Sequence, residues 1–171
     1  MLRFAAAKVP HARLVCDDMT QVQLDEIFDV VLCVYDSINH LLDFAQWEAV
    51  FDRAHERLDR GGIFIFDINT ERRLTLLTQQ EPIAEWFGDG ENLMLLAVRE
   101  AGSGVVWDIR VFEHIAADHY RLHREEIREV SFPLDRVRAA LQERFRRVHV
   151  YDQQRARPST RSGRLHFACT K

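Results

Sequence analysis

The chain has 171 residues, 47% of them hydrophobic and 29% charged, with a formal net charge of -4 at pH 7. This length allows one domain with a substantial core and is short for two. The acidic balance gives no general reason to expect nucleic acid as a partner, and no apolar run approaches the ~18 residues of a membrane span. We therefore expect a cytoplasmic protein without a membrane or nucleic-acid partner.

The cysteines and the choice of basic residues restrict the chemistry further. Cys16, Cys33 and Cys169 are odd in number and far apart, which disfavours a disulfide framework and shows no zinc-binding spacing. We expect reduced thiols and no metal site. Lys8 and Lys171 are the only lysines, and this preference for arginine is typical of a bacterial protein from a GC-rich genome.

The first third of the chain predicts a helix and two strands. Leu2 to Val9 has helical spacing and ends at Pro10, which cannot continue a helix. Arg13 to Cys16 is interpreted as a short strand. Phe28 to Tyr35 is a nearly continuous apolar run rich in valine, a pattern typical of a parallel strand buried on both faces.

A helix and another strand follow. The helix has one apolar face at the i, i+3, i+4 spacing, formed by Trp47, Val50, Phe51, Ala54 and Leu58. Gly61-Gly62 is expected to end this helix. Ile63 to Ile68 then predicts a second buried strand, which a right-handed parallel crossover connects to the first.

The second half of the chain predicts antiparallel structure. Three strands alternate polar and apolar residues, over Asn92 to Ala101, Val105 to Ile115 and Tyr120 to Val130. An amphipathic helix over Leu134 to Phe145 and two closing strands, Val148 to Tyr151 and Leu165 to Cys169, follow them. We interpret residues 1–171 as a single domain in which about 82–131 form an antiparallel insertion.

Three segments in order resemble one family. They are Asp17-Asp18-Met19, the run from Phe28 to Leu41 that contains Asp36-Ser37-Ile38-Asn39, and the run from Leu58 to Asp67 that contains Gly61-Gly62. Together they resemble the class I S-adenosylmethionine-dependent methyltransferases, in the branch that acts on small molecules. The resemblance implies an α/β fold: a truncated Rossmann-like sheet, mostly parallel, with a C-terminal antiparallel hairpin and an inserted antiparallel three-stranded sheet.

The resemblance also implies a methyl-transfer function with S-adenosylmethionine as cofactor. Asp18 would accept from the adenine amino group, and Met19 would pack on the adenine. The implied cofactor residues are Asp17, Asp18, Met19, Cys33, Val34 and Tyr35. The candidate catalytic residues are Tyr35, Asp36 and His40, because a base helps when the nucleophile carries a proton. Candidate substrate residues are Asn39, Trp86, Trp107 and His114.

Each of these assignments has a structural alternative. Asp17-Asp18 is also typical of an ordinary turn, and Asp36 to Asn39 is also a helix-capping sequence. The aromatic residues of the insertion equally suit the core of a small sheet. Arg136 to Lys171 is rich in arginine, which suits a solvated surface or an RNA contact, although no interleaved aromatic residues support RNA binding.

The chain departs from the family in one large respect. The family's first strand, its Gly-x-Gly-x-Gly loop and the acid that holds the ribose have no counterpart in these residues. We therefore expect either that the strand at Arg13 to Cys16 moves beside Phe28 to Tyr35, or that a homodimer covers this open edge. A start at an internal methionine of a longer protein would also explain the departure. The alternative function is a non-catalytic methyltransferase-like module that acts through a partner or a homodimer.

Overall fold

The computed structural model describes residues 2–171, which form two four-stranded sheets and four α-helices. The helices are α1 Leu2–Lys8, α2 Phe44–Arg57, α3 Glu71–Thr78 and α4 Leu134–Gln142, and a 3-10 helix covers Ser37–His40. The strands are β1 Phe28–Cys33, β2 Leu58–Asn69, β3 Ile83–Phe87, β4 Asn92–Ala101, β5 Gly104–Ala116, β6 His119–Glu129, β7 Arg147–Asp152 and β8 Arg164–Thr170.

The first sheet has the strand order β1-β2-β8-β7. β1 and β2 are parallel, whereas β8 is antiparallel to both β2 and β7. The expected strand–helix–strand unit and the closing hairpin are therefore present. The expectation of a mostly parallel sheet is wrong for the described strands, because the hairpin supplies half of them.

Aromatic side chains fill the core between this sheet and the helices α2 and α4. Trp47 and Phe51 of α2 and Phe64, Phe66 and Phe167 of the sheet have no exposed surface. The rings of Phe66 and Phe167 stack with their centroids 4.5 Å apart. This rigid core fixes the carboxyl ends of β1 and β2, where the polar residues described below lie.

The second sheet is antiparallel in the order β3-β4-β5-β6, so the insertion has four strands rather than the three expected. β3 pairs with β4 over Ile83 to Phe87, and its residues are all exposed. The helix α3, whose buried Leu74 and Leu77 pack against Val105 of β5, was also not predicted from the sequence. Both elements are short, so their sequence periodicity is weak.

Two expectations about the first strands are wrong. Arg13 to Cys16 forms no strand and is exposed. β1 has an open edge: Val30 is 50% exposed and Leu32 61%, so this strand is not buried on both faces. β1 has β2 as its one neighbour among the described residues, and an apolar run cannot reveal how many neighbours its strand will have.

The predicted role of Gly61-Gly62 is also wrong. α2 ends at Arg57, and Leu58 is already extended. Gly61, with φ of 82°, lies within β2. A Cβ on Gly62 would lie 3.0 Å from the carbonyl oxygens of Asp29 and Asp59, so close backbone approach, rather than helix termination, favours glycine at this position.

Candidate functional site

Asp67 of β2 holds the turn that follows β1. Asp67 is 3% exposed, and its carboxylate accepts hydrogen bonds from the backbone N–H groups of Tyr35 at 2.7 Å and Asp36 at 3.0 Å. Tyr35 and Asp36 have left-handed φ angles of 60° and 50°, which cost non-glycine residues about 1–3 kcal/mol each. Hydrogen bonds to a charged group are strong enough to offset much of this cost, so the turn depends on Asp67.

Arg164, the first residue of β8, joins the two acids of this turn. Its Nε donates to Asp67 at 2.7 Å and its Nη2 donates to Asp36 at 2.7 Å. The Arg164 and Asp36 side chains are 27% and 19% exposed, so solvent or a ligand reaches part of the pair. The chain therefore builds a polar cluster where two parallel strands end, the usual position of a ligand site in an open α/β sheet.

Asn69 extends this cluster toward the second sheet. Its Nδ2 donates to Asp36 at 2.7 Å and to Glu129 of β6 at 3.2 Å. Glu129 is 4% exposed; burial raises the pKa of its carboxyl, the Asn69 hydrogen bond opposes that rise, and the charge of Asp36 adds to it. Glu129 is thus a buried carboxyl whose pKa lies above its ordinary value, and it is joined to Asp36 through the side chain of Asn69.

Asn39 lies in the interior and links three segments. It is fully buried; its Nδ2 donates to the carbonyl oxygens of Asn69 at 3.0 Å and Val130 at 2.7 Å, and its Oδ1 accepts from the Asn69 N–H at 3.0 Å. Both donor hydrogens of the amide are used, so the substrate contact expected for Asn39 has no donor available. The structure gives Asn39 a structural position instead.

The three candidate catalytic residues differ in availability. Tyr35 is 82% exposed, and both carboxylate oxygens of Asp36 already accept hydrogen bonds from Arg164 and Asn69. His40 is exposed, and its Nδ1 lies 3.2 Å from the Arg128 carbonyl oxygen. Because a carbonyl oxygen can only accept a hydrogen bond, Nδ1 carries the hydrogen in this contact. The lone pair of Nε2 is then directed away from Arg128.

Three of the six residues expected to hold the cofactor lie along the open side of β1. Met19, Cys33 and Val34 line one apolar groove of about 560 Å³ there. Asp18 Oδ1 accepts from the backbone N–H and the hydroxyl of Thr20, both at 2.8 Å; these bonds lower the pKa of Asp18. Asp17 and Asp18 are both exposed. The structure places Met19 beside the end of β1, whereas Asp17, Asp18 and Tyr35 do not line this groove.

The aromatic and histidine residues predicted to bind substrate are divided over the second sheet. Trp107 packs on Leu74 and Leu77 of α3, near the first sheet. His114 lies seven positions further along β5, about 23 Å away at ~3.3 Å per residue. Trp86 is 57% exposed and pairs with Leu93 of β4, so it lies near the end of β5 that carries His114. One bound small molecule cannot contact all three.

Four residues of the cluster were not predicted from the sequence: Asp67, Asn69, Glu129 and Arg164. An acid at the end of a strongly apolar strand was a usable signal for Asp67. Glu129 and Arg164 carry no local signal, because they reach the site through tertiary contacts over long sequence separations.

Within residues 2–171, no group of three or more His, Cys, Asp or Glu side chains is arranged to hold a metal ion, and no helix is long and apolar enough to cross a membrane.

No protein-family model matches the chain, and no curated protein sequence matches it significantly. Solved structures do match. An S-adenosylmethionine-dependent methyltransferase from Clostridium acetobutylicum superposes with a TM-score of 0.84 at 21% identity, covering 99% of this chain and 70% of that chain.

Two further matches are similar in extent. The S-adenosylmethionine-bound amino pentose methyltransferase from Micromonospora echinaspora has a TM-score of 0.73 at 18% identity, over 99% of this chain and 69% of that one. A sugar N-methyltransferase from Streptoalloteichus sp. has a TM-score of 0.79 at 17% identity, over 98% and 66%. The chain therefore has the α/β fold of S-adenosylmethionine-dependent methyltransferases, and the resemblance found in the sequence is confirmed at the level of the fold.

Proposed function

We propose that this chain catalyses, or forms part of an enzyme that catalyses, methyl transfer from S-adenosylmethionine to a small molecule. The observation that carries the proposal is the structural match over 99% of the chain to a methyltransferase. The polar cluster at the carboxyl ends of β1 and β2 supports it, because it lies where this type of sheet binds ligands. Matches to amino pentose and sugar N-methyltransferases favour a small polar acceptor.

The groove beside β1 suits one side of the cofactor. Its volume of about 560 Å³ lies within the ~300–1,000 Å³ range of small-molecule sites. Asp18 uses only Oδ1 for Thr20, which leaves Oδ2 to accept from an amino group such as that of adenine. Asp18 is the neighbour of the groove-lining Met19 but does not itself line the groove, whereas Arg57 does. The Nε of Arg57 is buried without a partner among the described residues, and a ligand acceptor would satisfy it.

Bound S-adenosylmethionine would supply a methyl group already activated on a sulfonium. The protein then needs to orient the acceptor and remove its proton. We assign proton removal to His40, whose Nε2 lone pair is free when Nδ1–H donates to Arg128. Asp36 is less suited, because Arg164 and Asn69 occupy both of its oxygens. Asp67 and Arg164 are positioning residues that hold the Tyr35–Asp36 turn beside the site.

We also propose that a second copy of the chain pairs with the open edge of β1. Val30 and Leu32 of this edge also line the groove, so the second copy would close the groove from that side and the cofactor would lie between the two copies. Ile27, Val30 and Leu32 are 54%, 50% and 61% exposed, and an apolar unpaired edge favours pairing with another strand. Sedimentation should show a dimer that Leu32→Lys dissociates, whereas Leu42→Lys, at a site 46% exposed outside β1, should leave it intact. A monomeric wild-type chain would contradict the homodimer and favour a different covering segment.

The activity is tested by transfer of radiolabelled methyl groups to a panel of amino sugars and small amines. We expect transfer to at least one acceptor. His40→Gln should lower the rate about 10²-fold or more, the lower end of what a positioned base contributes. His123→Gln is the matched control, since this exposed histidine bonds to Glu113 at 2.9 Å on the distal part of β6. Equal rates for both variants would exclude His40 as the base.

A further inference from the structure

A cavity of about 260 Å³ lies beside the polar cluster. Polar and charged side chains line most of it, whereas apolar side chains line most of the groove beside β1. Five arginines line the cavity, together with Asn69, Leu76, Gly163 and the segment Asp152 to Gln154. The arginines are Arg72, Arg73, Arg155, Arg161 and Arg164. We call this cavity the arginine pocket. Asp152 is its one acidic lining residue, so the pocket is strongly positive on a chain whose net charge is -4.

The two walls of the arginine pocket come from different parts of the chain. Arg72 and Arg73 belong to the first turn of α3, and Arg155 and Arg161 belong to the loop between β7 and β8. Thr70 joins the walls: its hydroxyl donates to the carbonyl oxygens of Ser162 at 2.7 Å and Gly163 at 3.0 Å. Neutral hydrogen bonds therefore hold the two walls together, and Asp152 is the one acid that lines the pocket between their positive charges.

The loop itself is built around a buried acid. The Ser162 hydroxyl, in a residue 1% exposed, donates to the Asp152 carboxylate, which also accepts from the Gln154 N–H at 2.7 Å. These bonds lower the pKa of Asp152 and occupy its oxygens. The Arg155 Nε lies 3.8 Å from Asp152, too far for a hydrogen bond. Arg72, Arg73 and Arg161 form no salt bridge with any described acid.

Guanidinium groups bind phosphate oxygens in pairs of parallel hydrogen bonds. Several unpaired guanidinium groups around one small cavity repel each other, and a bound dianion would relieve that repulsion. The volume suits a phosphate or diphosphate group better than a whole ligand, because small-molecule sites usually exceed ~300 Å³. The remainder of the ligand would therefore lie outside the pocket.

Arg164 connects this pocket to the proposed reaction site. It lines the arginine pocket and also donates to Asp36 and Asp67 at the end of β1 and β2. We propose that the arginine pocket binds the phosphate or diphosphate group of the small-molecule acceptor, and so anchors the acceptor beside the turn after β1. Its role in acceptor binding rests on the proposed methyl-transfer function, whereas the anion site stands on its own geometry.

Titration of the folded chain with inorganic pyrophosphate at low salt tests the anion site without any cofactor. We expect saturable binding of one pyrophosphate per chain that weakens steeply with added salt. A double variant with one change in each wall, Arg73→Gln with Arg161→Gln, should weaken binding about tenfold or more, since each lost charge-assisted hydrogen bond is worth roughly that factor. Both residues are exposed, so the fold should tolerate the changes.

The matched control is Arg60→Gln with Arg146→Gln, two exposed arginines outside the arginine pocket, which should leave affinity within about twofold of wild type. Absence of saturable binding, or equal losses in the two double variants, would overturn the proposal. Tighter, arginine-dependent binding of a single-stranded oligonucleotide would also overturn it, in favour of a nucleic-acid surface. Pyrophosphate binding without binding of S-adenosylhomocysteine would refute the methyl-transfer function and leave the anion site standing.

Discussion

Asn39→Ala should unfold the chain at markedly lower denaturant. The substitution removes three hydrogen bonds from an amide that is fully buried. It leaves the N–H and C=O of Asn69 and the C=O of Val130 unpaired, and each unpaired buried group costs about 1–3 kcal/mol. Allowing for partial relaxation, we expect a loss of about 3–6 kcal/mol, a large part of the ~5–15 kcal/mol that stabilises a typical domain.

Urea unfolding followed by tryptophan fluorescence measures this loss as a shift in midpoint at constant slope. Ser37→Ala is the neighbouring control: it removes one exposed hydrogen bond, from Ser37 Oγ to the Val34 carbonyl at 2.6 Å, and should cost ~1 kcal/mol or less. If Asn39→Ala were no worse than Ser37→Ala, the structural position of Asn39 would be refuted. Loss of acceptor binding at unchanged stability would instead restore Asn39 as a substrate contact.

Three further changes test the buried parts of the chain. Burial raises the pKa of the Glu129 carboxyl above its ordinary value of 4.5. The folded state therefore binds this proton more tightly than the unfolded state, so the wild-type free energy of unfolding should fall as the pH rises above 4.5. Glu129→Gln should not show this fall in urea titrations from pH 4 to 8. Gly104→Ala should destabilise by about 2 kcal/mol or more, because its Cβ would overlap the Glu129 carbonyl oxygen. Iodoacetamide should label exposed Cys16 rapidly, half-buried Cys33 slowly and buried Cys169 only after unfolding, since burial raises the pKa of Cys33 to about 11 and of Cys169 to about 12.

Each of these three has a contradicting result. A Glu129→Gln variant with the same pH dependence as wild type would show that this carboxyl does not titrate differently on folding. A Ser103→Ala variant at the adjacent turn should be nearly neutral, and equal losses at Ser103 and Gly104 would refute the overlap. Rapid native labelling of Cys169 would contradict its burial.

Local periodicity predicted the elements that carry a clear pattern. α2, the buried part of β2 and the closing strands β7 and β8 were recognised because their apolar spacing differs from that of the flanking residues. The exposed state of β1 was not predictable in this way. A run such as Phe28 to Tyr35 indicates that a strand is apolar, but its burial depends on neighbours that other parts of the polypeptide must supply.

The candidate site was predicted in part for the same reason. The turn after β1 follows directly from a strand and could be found by its position in the sequence. Its partners could not, because Arg164 bonds to Asp36 across 128 positions and to Asp67 across 97. The sequence therefore indicated where a site begins, and the tertiary fold supplied the residues that position it.

Calorimetric titration of the purified chain with S-adenosylhomocysteine tests the central claim most directly. The account predicts binding in the micromolar range. Asp18→Ala should weaken that binding about tenfold, the worth of one hydrogen bond between a ligand and a charged group. Asp25→Ala, which alters an exposed acid outside the groove lining, should leave the affinity nearly unchanged. A folded chain that shows no binding up to millimolar ligand would contradict the proposed methyl transfer by this polypeptide.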